Sequence, residues 1–422
     1  MRRFNTFLLL ASLGIASAIA QDNGTGFIGN GFYRVRNFGS QRYIYVTDNR
    51  DYYDMSGDDE DFQAVKLWSG SERAAASPAS VIFVKNISGN TFDLMAQGTG
   101  IHQLTGYYVT VKPKEENTYE VSASKAGVTK YLSDNEISLD EDEGMLGTKS
   151  GGAGDFCLWV VDKITSDHAT NYVGIKPTIQ VDGKHYAPYY AAFPFRAVSP
   201  NMHIYYASKI RSVEGVTELV LKEIEGDIPE SMPVFIECVT ENPTDNRIEP
   251  LTSKPTQISG NLLDGTYFCN GSRPRESVDA YRLFDETTMR IFTVKDGRLV
   301  VTNNMQDLFI VDPEEVEDPE QIALNRLVKT RVWNPANPTS PRKVVGYCIP
   351  ANTSYLTTDA NTPSEFGVRF EGVGIDEIIA NNKDKSVPGV YTVSGTLLRK
   401  TNDVQGLPAG LYIVAGQKVV IK

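Results

Sequence analysis

Side chains able to do chemistry are sparse in this chain of 422 residues. There are four histidines, His102, His168, His185 and His203, and none forms the His-Glu-x-x-His pattern that grips zinc on a helix. His185, between Lys184 and Tyr186 behind Gly183, reads as a surface histidine, since nothing nearby marks it as a base. No cofactor-binding or nucleophile-elbow signature occurs, neither a phosphate-cradling glycine loop nor Gly-x-Ser-x-Gly. Carboxylates are plentiful, 53 in all, but they gather in runs such as Asp51 to Asp61, Asp140 to Glu143 and Asp312 to Glu320. The first two runs lack the alternating spacing of a calcium loop and read as solvated loops, so no metal site and no cofactor are expected. Glycosidases need two carboxylates at a defined separation, and runs of acids do not specify one.

Tyrosine is the other chemically expressive residue, with 21 copies against three tryptophans. Tyr186-x-x-Tyr189-Tyr190, Tyr205-Tyr206, Tyr107-Tyr108 and Tyr43-x-Tyr45 are candidate platforms for sugar stacking. In an alternating strand half of each pair turns inward, so core packing claims many of them. Tyr52-Tyr53 differs, because it lies in a polar loop between Asp51 and Asp54. An aromatic exposed on a loop calls for a partner, and Tyr52, Tyr53, Asp51 and Asp54 form the candidate ligand-binding set.

The elements that would carry these groups read as strands almost throughout. Phe32 to Asn37 alternates apolar and charged residues, turns at Gly39-Ser40 and continues as Arg42 to Val46. Similar short runs follow at Val65 to Trp68, Val81 to Lys85, Thr91 to Ala96, Tyr107 to Val111, Tyr119 to Ala123, Lys130 to Leu132 and Phe156 to Val161. Ser166 to Thr170 reads as a linker. Beyond it, strands such as Ile179 to Val181, Met202 to Ser208, Pro233 to Cys238 and Arg298 to Thr302 are separated by proline and glycine turns, as in a sandwich. Asp318-Pro319-Glu320, followed by Ile322, Leu327 and Val328, predicts one short helix. Gly374 to Pro388 is polar and reads as a tether. Val390 to Val393, Thr396 to Lys400, Leu411 to Val414 and Lys418 to Lys422 predict two hairpins. The fold class is all-β, with domains expected at 25–165 and 170–370, a linker at 374–388 and a C-terminal unit at 389–422.

A unit of aromatic, small turn and Lys/Arg-Tyr-apolar appears at Tyr33 with Arg42-Tyr43-Ile44 and again at Tyr119 with Lys130-Tyr131-Leu132. It returns more loosely at Phe92 with Tyr107-Tyr108-Val109. This threefold pattern resembles a β-trefoil, the architecture of ricin-type lectins, although the Gln-x-Trp triplet of those lectins is absent and Lys66-Leu67-Trp68 only echoes it. The tail, with Val390-Tyr-Thr-Val-Ser-Gly395, Leu407-Pro-x-Gly410-x-Tyr412-Ile-Val and Lys418-Val-Val-Ile-Lys422, resembles the C-terminal sorting domain of Bacteroidetes proteins exported by the type IX (Por) system. That resemblance implies a secretion machinery as partner. Asn261-Leu-Leu-Asp-Gly265 and Ile349 to Leu356 resemble recurring segments of secreted Bacteroidetes proteins of unassigned role.

The N-terminus supports the same compartment. Arg2-Arg3, an apolar run from Phe7 to Ala16 and Ala18-x-Ala20 match a signal peptide spanning 1–20, too short to cross a bilayer comfortably. An exported chain could oxidise Cys157, Cys238, Cys269 and Cys348, yet Cys157 and Cys238 lie in apolar runs where buried free thiols are the plainer reading. The net charge of -12 becomes -14 once Arg2 and Arg3 are removed, which argues against nucleic acid. Together these readings describe a non-catalytic exported or cell-surface binding protein for a glycan or host protein, with no transmembrane span after signal removal. The alternatives are a structural or assembly component of the bacterial surface and a glycan-active enzyme.

Overall fold

The computed structural model describes residues 29–46, 65–97, 99–100, 108–115, 117–135, 143–144, 146–213, 215–267, 283–305, 307–308, 310–311, 327–332, 344–371, 389–392, 397–414 and 417–421. The protein is all-β. Among the described residues, regular structure is strand apart from the helix Ser71–Ala76 and the short 3-10 turns Pro78–Ser80, Asp155–Cys157 and Pro243–Asp245. Contacts divide the chain into two units, the first built from Met1–Tyr45, Lys66–Gly70 and Ser80–Ile164, the second from Val46–Val65, Ser71–Ala79 and Thr165–Lys422. The signal-like segment and the polar stretch 374–388 lie outside the described residues.

In the first unit six strands close into a ring. Gly31–Asn37 pairs with Ile82–Ser88, which pairs with Thr91–Ala96, then Val109–Pro113, then Tyr119–Lys125, all antiparallel. Leu158–Lys163 completes the circuit by pairing with both Tyr119–Lys125 and Gly31–Asn37. Closure leaves no open ladder on these strands. Their alternation puts Val35, Val84, Leu94, Val111, Val121 and Trp159 out of solvent. Further strands leave the ring as excursions: Tyr43–Val46 with Val65–Trp68, Thr99–Gly100, and Val128–Asp134 with Leu146–Lys149. Two of them are tied by a fully buried ion pair, Arg42 Nη1 to Asp134 Oδ2 at 2.9 Å.

The second unit holds a ten-stranded path: Ile179–Val181, Lys184–Tyr189, Val234–Cys238, His203–Val213, Val216–Glu223, Glu365–Glu371, Arg298–Thr302, Met289–Lys295, Thr353–Thr357 and Leu263–Thr266. The pairing is continuous, and the path folds over on itself. Phe235 and Phe292, five positions apart in that order, have ring centroids 4.4 Å apart. One core therefore takes side chains from both arms of the path, among them Tyr186, Tyr205, Leu221, Val301 and Leu356. Smaller sheets join Val173–Gly174, Arg247–Pro250 and Phe195–Ala197, and Ile310–Val311, Leu327–Val332 and Val344–Cys348. The tail forms a sheet of its own in the order Leu397–Arg399, Val390–Thr392, Gly410–Val414, Gln417–Ile421, which contains both expected hairpins.

Two local expectations are corrected. Leu327 and Val328, placed at the end of a helix by sequence, begin the strand Leu327–Val332, because Val328 pairs with Cys348 across an antiparallel ladder. The start of that helix lies outside the described residues. Cys157 closes a 3-10 turn and does not sit inside a strand, although it is buried and free as expected, like Cys238. Ser166 to Thr170 is a tied turn. His168 Nδ1 accepts from the amides of Thr170 and Asn171, while Arg247 Nη1 donates to the carbonyls of Ser166 and His168.

Candidate functional site

Tyr52, Tyr53, Asp51 and Asp54 lie outside the described residues, as do His102, Tyr107 and Cys269. Most of the other tyrosine platforms are core. Tyr186, Tyr189, Tyr190 and Tyr205 are all buried, and so is Tyr45. Tyr186 stacks on Phe235, and Tyr190 stacks on Tyr267 at 4.6 Å. For Tyr186 and Tyr205 the cause is the fold-over of the long sheet, which encloses the face that a single open sheet would leave for a sugar. Tyr108 is half-exposed. His203, by contrast, has a partner that its sequence neighbourhood did not announce: its Nδ1 lies 2.6 Å from Glu223 Oε1 on the next strand. His185 is half-buried at the start of Lys184–Tyr189. Among the described residues no group of three His, Cys, Asp or Glu is placed to hold a metal ion.

A concave polar site lies in the second unit, a groove of about 520 Å³ where the turn at 285–288, the stretch 303–305 and the segment 362–365 meet. Each wall is fixed from within. Asp285 accepts from the amide and hydroxyl of Thr287 and from the hydroxyl of Thr288, which hold its carboxyl below the usual carboxylate range. Beneath that turn Arg290 is buried, and its guanidinium donates to the carbonyls of Met289, Thr362 and Pro363. Burial lowers its pKa, and Asp285 opposes the shift. This single side chain joins two walls of the groove. The third wall is joined by Asn303, whose amide nitrogen donates to Ser364 O and whose side chain donates to Glu286 O.

Lys295 crosses the groove. Its ammonium donates to Glu365 Oε2 at 2.7 Å and to Asp307 Oδ2 at 2.9 Å. Those bonds, Glu365 first, raise its pKa well above the lysine range, and the bond from Lys295 lowers that of Asp307. A lysine held between two carboxylates in this way is favoured in its protonated form. Glu286, Asn304 and Ser364 are exposed at the rim, while Met305 gives one half-buried apolar surface. The one local sign of this site in the sequence is Asp296-Gly297, whose positive φ angles of 50° and 70° make the tight hairpin after Lys295.

No protein-family model matches the chain, and no curated protein matches it. A solved structure of a mosquitocidal holotoxin aligns with 79% of this chain and 34% of its own, at 11% identity and a TM-score of 0.25. The chain thus spans about a third of that toxin's length, and a likeness so distant carries no inference about activity.

Proposed function

We propose that this protein is a non-catalytic binding protein of the bacterial exterior, exported or held at the cell surface, whose ligand is a glycan or an extracellular host protein. The observation that carries the reading is the groove around Lys295. Its polar groups are pre-positioned by the internal bonds of Arg290, Asn303 and Asp285, and its amine is neutralised between two carboxylates. Fixed, mixed donors and acceptors suit recognition, where preorganisation reduces the cost of binding.

The first unit is read as a β-trefoil. Support comes from the closed ring of six strands, from the excursions that leave it, and from the placement of Tyr33 and Tyr119 on ring strands with Arg42 and Lys130 on excursions. The tail is read as the address used by a secretion machinery after a signal peptide has directed export. Mass determination of both mature termini in fractionated cells tests that part, and an intact N-terminus in the cytoplasmic fraction would remove it.

The binding reading predicts that folded mature protein scores above background on a glycan array or on a panel of host-matrix proteins; silence on both would sink it. A second reading, assembly at the surface, is favoured by the exposed cross-strand pair Leu411 and Val420 with Leu397 and Leu398 in the tail sheet. Cross-linking on intact cells that captured the chain in one large complex would favour assembly over ligand binding.

A further inference from the structure

We infer that the Lys295 groove is a site for a neutral, hydroxyl-rich saccharide, an inference that rests on the reading of the protein as a binder. The argument is an inventory of what the groove offers once its internal bonds are counted. Glu365 gives Oε2 to Lys295 and keeps Oε1. Asn303 spends one N–H on Glu286 O and keeps its side-chain oxygen as acceptor. Lys295 spends two of its three N–H donors, leaving one. The Glu286 carboxylate and the Ser364 hydroxyl stand at the rim. The surplus is therefore acceptors, mostly ionised, accompanied by a few donors.

A hydroxyl group both donates and accepts, so a ring bearing several of them can satisfy such a set, and its bonds to carboxylates and to the ammonium are the stronger, charge-assisted kind. Met305 supplies an apolar surface for the C–H side of a sugar ring. An anionic ligand fits poorly. Glu286, Glu365 and Asp307 against Lys295 leave two uncompensated negative charges, three minus one. A simple ammonium also fits poorly, because Lys295 already occupies the space between two of the acids, and an ammonium offers no acceptor to the remaining donors. The volume of about 520 Å³ lies in the range of small-molecule pockets.

The test uses full-length mature protein and saturation-transfer NMR. The probes are lactose, cellobiose, maltose and mannobiose, with digalacturonic acid as acidic and spermidine as cationic comparators. The expected result is transfer to at least one neutral disaccharide, with affinity reduced about tenfold or more by Glu365→Gln and by Ser364→Ala, and little change with added salt. Ser364 is exposed, so Ser364→Ala carries the test should Glu365→Gln fold badly. Neutral disaccharide binding untouched by a folded Ser364→Ala and by a folded Glu365→Gln would overturn the groove as the site, while the binding reading survived. Salt-sensitive binding of spermidine, or binding of digalacturonic acid, in place of the neutral probes would overturn the ligand class. So would capture of a matrix protein with all saccharides silent. Silence on every probe and on both panels would remove this inference and the binding reading together.

Discussion

Arg42 and Asp134 show how a buried charge can fix a structure without adding much to its stability. Both side chains are shielded from water, 1% and 0% exposed, and their bond of 2.9 Å links two excursions from the ring. Desolvation offsets most of the attraction in such a pair, but removing one partner leaves the other buried without that counter-charge. Asp134→Ala should therefore cost about 3–5 kcal/mol in urea unfolding, and the double replacement Arg42→Met with Asp134→Leu should cost clearly less. Equal losses in the two variants would mean that the pair is not coupled. Gly144 belongs to the same arrangement, because a Cβ there would lie 2.7 Å from both Arg42 Cδ and Asp134 Oδ2. At Asp285 the residue scale meets pH. Hydrogen bonds from Thr287 and Thr288 depress its folded pKa below the ordinary 3.8. Its contribution is therefore complete above the unfolded value and is lost as pH falls through the folded one. Melting temperature followed from about pH 5 down to about pH 3 should fall more steeply in the native protein than in Asp285→Asn. Parallel curves would show that the turn does not use the charge.

Two segments that stand out in the sequence, Asn261 to Gly265 and Ile349 to Leu356, turn out to be neighbours. Leu263 pairs with Leu356 and Gly265 with Ser354. Asn261 Oδ1 accepts from the amides of Ala207 and Leu263, and its Nδ2 donates to Pro233 O, so one side chain ties three segments. Ser354 Oγ donates to Val234 O, and Tyr355 Oη donates to Asp264 Oδ2. Gly265 lies flat on the Tyr190 ring, where a Cβ would approach within 2.3 Å. Gly265→Ala should thus destabilise by about 1–3 kcal/mol or more through overpacking, whereas Gly367→Ala, with open space at its Cβ, should be neutral or slightly stabilising. Denaturant midpoints that moved equally for the two would refute this account. The same elements mark what was legible in the sequence. Half-buried strands such as Thr91–Ala96 carry an alternating pattern and could be read directly. Thr353–Thr357 is buried on both faces over its first four residues, so it shows no alternation and passed unnoticed as a strand. The parallel pairing of Val216–Glu223 with Glu365–Glu371 joins residues far apart in the chain, and no local pattern encodes it. The groove suffers from the same distance, since Lys295 and Glu365 come together only when Met289–Lys295, Arg298–Thr302 and Glu365–Glu371 pair side by side. Tyrosines announced themselves by type, but which face each would take depended on the fold-over.

At the scale of the whole molecule, the two units can be followed separately by their own thiols. Cys157 belongs to the first unit, whereas Cys238 and Cys348 belong to the second, and all three are buried. Burial pushes the Cys157 thiol up, and burial together with Glu237 pushes Cys238 up to about 12. Labelling requires an exposed thiolate, so folding protects all three sulfurs by covering them, and Cys157 and Cys238 also by favouring the protonated thiol. A chain of this size with two separate cores has no reason to unfold in one step. The first unit closes its own ring through Tyr33 opposite Lys163, so its ladder is complete without strands from elsewhere. The second depends on one continuous ten-stranded path. In a Cys269→Ser background, alkylation at increasing urea, read by peptide mass, should show Cys238 and Cys348 becoming reactive together and Cys157 at a different midpoint. Coincidence of all three would mean that the units unfold as one. Separation of Cys238 from Cys348 would mean that the small sheet carrying Val344–Cys348 opens independently of the long sheet that carries Cys238.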